Sequence, residues 1–387
     1  MNASPLRSLR GDTTIWFIFF VLIIFSMLAV YSASASLSVR MDGGRYEITL
    51  AKHAIHVLLG VALAYGAYRT PHYRFKSLAP WLLGGSIVML IYTFFYGVEL
   101  SDARRWLQLP FTSFRFQTSD FAKIGLIVYL ARAISAYQDR MQEGKGLMGP
   151  LIWPVIIVCG LIAPSDLSTA MMLFATCVVM LFIGRLPMKY IGYFFLAGLV
   201  MFAFLIVVGT IAPDYVRLDT WVSRLTTFYN GSDADQVVRS KIAIATGGIF
   251  GEGAGMSVQR SFIPTSHADF IYPVIVEEYG LVGSFVVIGL YLWLFIRSCR
   301  LLTKSTKLFG AIMAIGLSLL IVMQALANIA VAVNIFPVTG LTLPIISRGG
   351  TSLVFSCIAF GIILSVSRVV EQKGKLKRTK TVRTQAV

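Results

Sequence analysis

The chain has 387 residues, 57% of them hydrophobic and only 13% charged, with a mean hydropathy of +0.76 and a formal net charge of +16. Soluble domains carry roughly 25% charged residues, so a soluble enzyme is excluded and an all-α polytopic membrane protein is expected. In such a protein positive charge reports topology and contact with anionic lipid, so no nucleic-acid partner is implied.

A span needs about 20 mostly apolar residues. Ten segments qualify, at roughly 14–37, 50–69, 79–97, 119–137, 147–164, 166–185, 189–212, 271–297, 308–333 and 349–370. The first is too long for a signal-peptide core and is followed by further spans, so it is expected to be retained. Residues 1–13 form a short N-terminus, 14–370 the membrane domain, 213–271 one large loop, and 371–387 a basic tail expected to be disordered and lipid-facing. Lys and Arg cluster at both termini and in alternate loops (Arg69, Arg74 and Lys76; Arg297 and Arg300). The positive-inside rule then puts both termini in the cytoplasm and the large loop outside. Cys159, Cys177, Cys299 and Cys357 fit neither a zinc site nor a disulfide framework and read as small buried hydrophobes.

Lys52, His53 and His56 open the second span, and no third metal ligand accompanies the histidines. Next comes Arg104-Arg105-Trp106, followed by Asp120 and Lys123, whose i, i+3 spacing puts both on one helix face. They read either as a local ion pair easing insertion or as a substrate-facing pair. Asp166, after Pro164, reads as a helix cap and dipole partner or as a site carboxylate. In the large loop, Val237, Val238, Ile242 and Ile244 predict a short amphipathic helix. The glycines at 247, 248, 251, 253 and 255 follow, as simple turns or as a phosphate cradle without a Walker lysine. His267, Asp269, Glu277 and Glu278 then stand at the mouth of the eighth span. Ser347, Arg348, Gly349 and Gly350 precede the last span, after Pro337, Gly340 and Pro344; such irregular backbone at membrane depth is tolerated only inside protein or lining a wet cavity. Small residues in the eighth and ninth spans (Gly283, Ser284, Gly289, Gly310, Ala314, Ser318) suit either packing within the protein or docking of a partner helix.

No metalloprotease, serine-hydrolase or CxxC motif is present. A carboxylate at an outer surface, cations and a cavity suit a lipid-linked anionic substrate.

"RRWLQLP…FRFQTSDFAKI", "PSDLSTA", "TGGIFGEGAG…FIPTSHADFIYPVIVEEYGLVG" and "FPVTGLTLPIISRGGTS" resemble the SEDS proteins of bacterial shape, elongation, division and sporulation, in order and over essentially the whole chain. The resemblance implies a ten-span fold like that of polyprenyl-using glycosyltransferases. It also implies a peptidoglycan glycosyltransferase of the bacterial inner membrane that polymerises lipid II at the outer face. Class B penicillin-binding protein transpeptidases and other divisome membrane proteins are the implied partners. By the same resemblance Asp269 is the general base on the acceptor hydroxyl, and His267 orients it or binds substrate. Lys123 faces pyrophosphate; Asp120, Asp166, Arg105, Lys52, Ser347, Gly349 and Gly350 are further substrate-binding candidates, and Glu277 and Glu278 shape the site. Lys52 stands near a common arginine and Arg348 replaces a tyrosine-like residue, two departures from the family pattern. The motifs fix no cofactor; Asp269 with Asp120 or Asp166 could hold a divalent cation, Mg or Mn, but no ligand set is visible. The motifs sit closer to the division, FtsW-like branch than to the elongation, RodA-like one. A lipid II flippase and a non-enzymatic divisome scaffold are the alternatives of other classes.

Overall fold

A computed structural model describes residues 11–41, 46–100, 103–108, 115–142, 146, 148–213, 215–231, 235–305 and 307–385. Arg7 and Arg10 lie outside the described residues, as does the side chain of Arg104. Twelve helices are described: α1 (Thr13–Met41), α2 (Tyr46–Arg69), α3 (His72–Tyr96), α4 (Thr118–Ala136), α5 (Met148–Ile162), α6 (Leu167–Ile183), α7 (Met188–Ile211), α8 (Leu218–Tyr229), α9 (Asp235–Thr246), α10 (Ile271–Lys304), α11 (Leu308–Ala332) and α12 (Thr351–Gln385). Each expected span coincides with a helix. Seven of these helices are long and apolar enough to cross a membrane; α5 and α6 are shorter but apolar, and α4 carries Asp120, Lys123 and Arg132.

The all-α expectation omits one feature. Between α3 and α4 lies a three-stranded antiparallel sheet, β1 (Val98–Leu100), β2 (Ala103–Gln108) and β3 (Arg115–Gln117), in the order β1-β2-β3. Alternation in "RRWLQ" and "FRFQ" is the signal for it. The tail also differs from expectation, because the backbone stays helical to Gln385. Of the amphipathic helix, α9 is present, but it buries Val237, Ser240 and Ala243 while Val238 and Ile242 are exposed.

Helix α11 is the central post. In its most apolar stretch 89% of residues are buried inside the protein, against 17% for the peripheral α7. Its small residues therefore serve internal packing. Gly310 faces His72 and Val366, Gly316 sits against Met180 and Ile127, and Ala314 and Ser318 are fully buried. Partner docking through this helix is thereby overturned; Gly289 on α10 is the candidate that remains exposed. Cys159, Cys177 and Cys357 are buried thiols, and Cys299 is half-buried.

Gly280 interrupts α10 with φ 65° and ψ −166°, a conformation that glycine alone adopts without strain. The break releases backbone groups that the glycine-rich loop takes up. Glu252 N donates to Glu277 O (2.9 Å) and Gly253 N to Glu278 O (3.1 Å), while Leu281 N donates to Gly248 O (3.0 Å) and Val282 N to Ile249 O (3.2 Å). A Cβ on Gly247, Gly251 or Gly280 would fall on the facing backbone. Of the glycines in the loop, Gly247 and Gly251 serve close packing, while Gly248, Gly253 and Gly255 take left-handed turns. Glu277 accepts from Val258 N (3.0 Å), Gln259 N (3.2 Å) and the Ser257 hydroxyl. Glu278 accepts from Ser32 of α1 and lies 3.7 Å from Arg260. Both carboxylates thus fasten the loop to α10.

Asp120 and Lys123 form a buried ion pair at 2.7 Å, and Lys123 Nζ also donates to Gln324 Oε1 at 3.3 Å. Removing one partner of a buried pair leaves an uncompensated charge and costs about 3–5 kcal/mol. Lys123→Met is therefore expected to lower the thermal midpoint of the purified protein sharply. Asp120→Leu combined with Lys123→Met is expected to recover most of that loss, and thermal denaturation of the single and double variants in detergent measures both.

Candidate functional site

The site is built around the segment 267–269, just ahead of α10, and the irregular segment 334–350 between α11 and α12. Asn328 of α11 donates through Nδ2 to Asp269 O (2.7 Å) and Leu341 O (2.6 Å). Gln324, one turn earlier, donates to Thr342 O (2.9 Å). The Ser347 hydroxyl donates to Ala268 O (2.7 Å) and accepts from Leu343 N (2.8 Å), and Arg348 N donates to His267 O (2.9 Å). Gly340, at φ +77°, passes next to the Asp269 carboxylate, where a Cβ would stand 3.7 Å from Oδ2. Gly349 packs on Ser352 and Thr342, and Gly350 takes a left-handed turn into α12.

On the far side, Asp166 caps α6 by accepting from Thr169 N through Oδ1 at 3.1 Å. Its Oδ2 receives Arg105 Nη1 of β2 at 3.2 Å, and Arg105 Nε donates to Ser165 O at 2.7 Å. Capping and ion pairing thus coexist in one side chain. Arg224 of α8 donates to Thr339 O at 3.3 Å.

A cavity of about 530 Å³ opens between these elements. Its charged rim is Arg105, Asp166, Arg217 and Arg224; its apolar wall includes Met171, Phe202, Trp221, Met323 and Phe336. Asp269 feels this rim. Burial and the Asp166 carboxylate push its pKa from 3.8 up to about 6, partly offset by the Arg105 and Arg224 guanidinium groups. His267 is held down to about 4 by burial and then by Arg348, so it is neutral near pH 7. Its Nδ1 is buried with no hydrogen-bond partner among the described residues.

Asp166 and Arg105 are therefore paired on the cavity, whereas Asp269, His267, Ser347 and Gly349 belong to the adjoining 267–269 and 340–349 packing, off the cavity lining, and Asp269 is tied to the rim through the charges of Asp166, Arg105 and Arg224. Lys123 and Asp120 are not on the cavity; they lie in the packed interior and reach the 340–348 segment only through Gln324. Lys52 is exposed on α2, where its carbonyl meets His56 Nδ1 at 2.6 Å, and His53 bonds Ser26 at 3.0 Å. Arg217, Arg224, Gln324 and Asn328 are additions that the sequence reading lacks. The seven-residue spacing of Arg217 and Arg224, two helical turns, was the available signal. A divalent cation finds poor ligands here. Both oxygens of Asp166 are already engaged, and no three His, Cys, Asp or Glu side chains gather among the described residues.

Residues 12–372 match the family model of FtsW, RodA and SpoVE, described as cell cycle proteins. A probable peptidoglycan glycosyltransferase FtsW from Coxiella burnetii is 33% identical, over 90% of this chain and 94% of that protein. The protein of the same name from Trichlorobacter lovleyi is 32% identical over 94% of each. Among solved structures, a chain from work on the coordination of polymerization and crosslinking by a peptidoglycan synthase complex superposes with a TM-score of 0.72 at 26% identity, covering 94% of this chain and 99% of that one. A mutant of the rod shape determining protein RodA from Thermus thermophilus gives 0.66 at 25% identity, over 92% and 97%. With a matching profile that spans nearly its whole length, this chain belongs to the FtsW, RodA and SpoVE family, the SEDS proteins.

Proposed function

We propose that this FtsW-like chain is a peptidoglycan glycosyltransferase that polymerises lipid II at the outer face of the bacterial inner membrane, with Asp269 as general base. One observation carries the reading: Asp269, whose carboxyl pKa is pushed up to about 6 by burial and by Asp166, is coupled to Asp166, Arg105 and Arg224, the charged rim of a cavity with an apolar wall. A lipid pyrophosphate has the same two halves, a dianionic head and a hydrocarbon tail.

Asp269 takes the proton of the acceptor sugar's 4-hydroxyl as that oxygen forms its bond to C1 of the donor sugar. The bond from C1 to the pyrophosphate oxygen breaks, and its electron pair leaves with undecaprenyl pyrophosphate. Arg105 and Arg224 lie where they can stabilise the charge growing on that leaving group. No metal takes part in this scheme. His267, neutral and hydrogen-bonded through its backbone to Arg348, positions the base rather than binding phosphate as a cation. A class B penicillin-binding protein is the partner that fits the reading, with the exposed lipid-facing side of α10 around Gly289, Phe285 and Trp293 as its docking surface.

Loss of a general base costs about 10²–10⁴ in rate. Purified Asp269→Asn is expected to lose polymerisation of lipid II by that factor while keeping its thermal midpoint; an unchanged rate removes Asp269 from the role. The base must be deprotonated to work, so activity should rise with pH to a half-maximum near pH 6. Arg224→Gln removes a cation that favours the carboxylate form and should move this acid limb to higher pH. Initial rates from pH 4.5 to 8 measure the limb in both proteins.

A further inference from the structure

Arg132 is a charge in an expected span that the candidate site does not use. It stands near the end of α4, half-buried, with no carboxylate partner among the described residues. A charge at membrane depth is costly and is usually paired or functional. Arg132 Nη1 donates to Lys76 O of α3 at 3.2 Å. That carbonyl is available because Pro80, four residues on, has no N–H to complete the helical ladder. The guanidinium is thus fixed by a break built into α3, and its remaining donors are left for another acceptor. Around it opens a pocket of about 440 Å³, lined by Tyr73, Lys76, Ser77, Pro80, Trp81 and Arg132. The lining holds two cations and a hydroxyl and no carboxylate. Helix α3 runs from this pocket to the sheet that carries Arg105, so the pocket lies at the opposite end of the bundle from the candidate site. The distribution of Lys and Arg assigns that end to the cytoplasm. Trp81 and Tyr73 are 79% and 58% exposed. Beyond Trp81, the exposed side chains of Val88, Tyr92 and Phe95 continue at helical spacing along one face of α3.

We infer that this pocket binds the headgroup phosphate of an anionic phospholipid whose acyl chains lie along that face of α3. Arg132 offers a planar fork that matches phosphate oxygens, Lys76 adds a point charge, and the Ser77 hydroxyl adds a further donor. Trp and Tyr favour the boundary between headgroups and hydrocarbon, which sets the depth of the pocket in the bilayer. A soluble phosphate would meet the same cations but leave the apolar face beside them unused. A zwitterionic choline lipid would bring a quaternary ammonium that no carboxylate in the lining balances. The bound headgroup would join α3 to α4 at the point where Pro80 weakens the α3 ladder, taking up the donors that Arg132 does not give to Lys76 O.

Trp81 reports on its own neighbours. The full chain is placed in phosphatidylcholine vesicles that hold, as a minor component, either phosphatidylglycerol or phosphatidylcholine with brominated chains, which quench tryptophan on contact. Each protein is measured with and without Trp81→Phe, and the difference is the Trp81 signal. Brominated phosphatidylglycerol is expected to quench that signal more strongly than brominated phosphatidylcholine at the same mole fraction. Lys76→Gln should lower the preference about tenfold, the worth of one hydrogen bond to a charged group, and Arg132→Gln at least as much. Lys76 is exposed, so Lys76→Gln removes no buried contact and carries the test if Arg132→Gln proves unstable. Lys189→Gln changes an exposed lysine at the same end of the bundle, at the start of α7, and should leave the preference intact. Equal losses in Lys76→Gln and Lys189→Gln would mean diffuse attraction of a basic surface to anionic lipid, and they overturn the site, as does a wild type without preference. Trp81 fluorescence that responds to inorganic phosphate in detergent, with no preference for phosphatidylglycerol in vesicles, assigns the pocket to a soluble anion and overturns the lipid assignment.

Discussion

Asn328 is the constraint on which the site depends. It stands on the most buried helix of the protein, and a single amide nitrogen ties two loop carbonyls, those of Asp269 and Leu341. Non-helical backbone at membrane depth persists only if its polar groups find partners inside the protein. The α11–α12 segment meets that requirement with side chains. Gln324 and Asn328 lie four residues apart and so share one face of α11; Ser347 then links the segment internally and to Ala268. The polar stripe on an otherwise apolar post thus fixes the backbone on both sides of Asp269, while the Asp269 carboxylate stays available to titrate.

That titration is set by opposing influences. Burial and a neighbouring carboxylate raise the Asp269 pKa, and two guanidinium groups lower it. For the proposed role of general base a pKa near the working pH is most effective, and neither influence alone would leave it there. Asp166 can act as a steady neighbour because both of its oxygens are committed, one to the α6 cap and one to Arg105. The sheet between α3 and α4 matters for the same reason: β2 holds Arg105 at a fixed distance from the start of α6.

Much of this was legible in the sequence, and the reasons for the rest are physical. Hydropathy marks all ten span segments because a helix in lipid must be apolar along its length. Asp269 and Asp166 stand out as carboxylates beside long apolar runs. Spacing also pairs Asp120 with Lys123 correctly, but spacing on one helix does not say which neighbour that face meets, and α4 turns it toward α11 and Gln324. Arg224 lies on a helix outside the spans, where an arginine is unremarkable in composition; only the tertiary approach of α8 to Thr339 makes it part of the rim. The role of the glycines was equally hidden, since their partners across the chain are backbone groups with no side-chain signature. Lys52 illustrates the converse, a charge at a family-like position that the fold leaves exposed on α2.

The break at Gly280 explains how one chain segment can be both span and scaffold. A glycine within a helix costs about 1 kcal/mol relative to alanine, and the broken ladder would cost more if its carbonyls and amides stayed unpaired. Four backbone hydrogen bonds from the glycine-rich loop replace the lost helical ones. The break divides α10 into two parts with different surroundings. Residues 271–278 are all buried, with Glu277 and Glu278 binding the loop, whereas Leu281, Val282, Phe285 and Val286 beyond the break are exposed apolar side chains suited to lipid or a partner helix. The first part is thus clamped from the loop, from Ser32 of α1 and, through Asp269 O, from Asn328 of α11. A helix straight through Gly280 would carry any tilt of the lipid-facing part directly to Asp269. The interlocked break instead anchors Asp269 to the glycine-rich loop, α1 and α11, so its position relative to Asp166 and Arg224 is fixed independently of the apolar surface beyond Gly280.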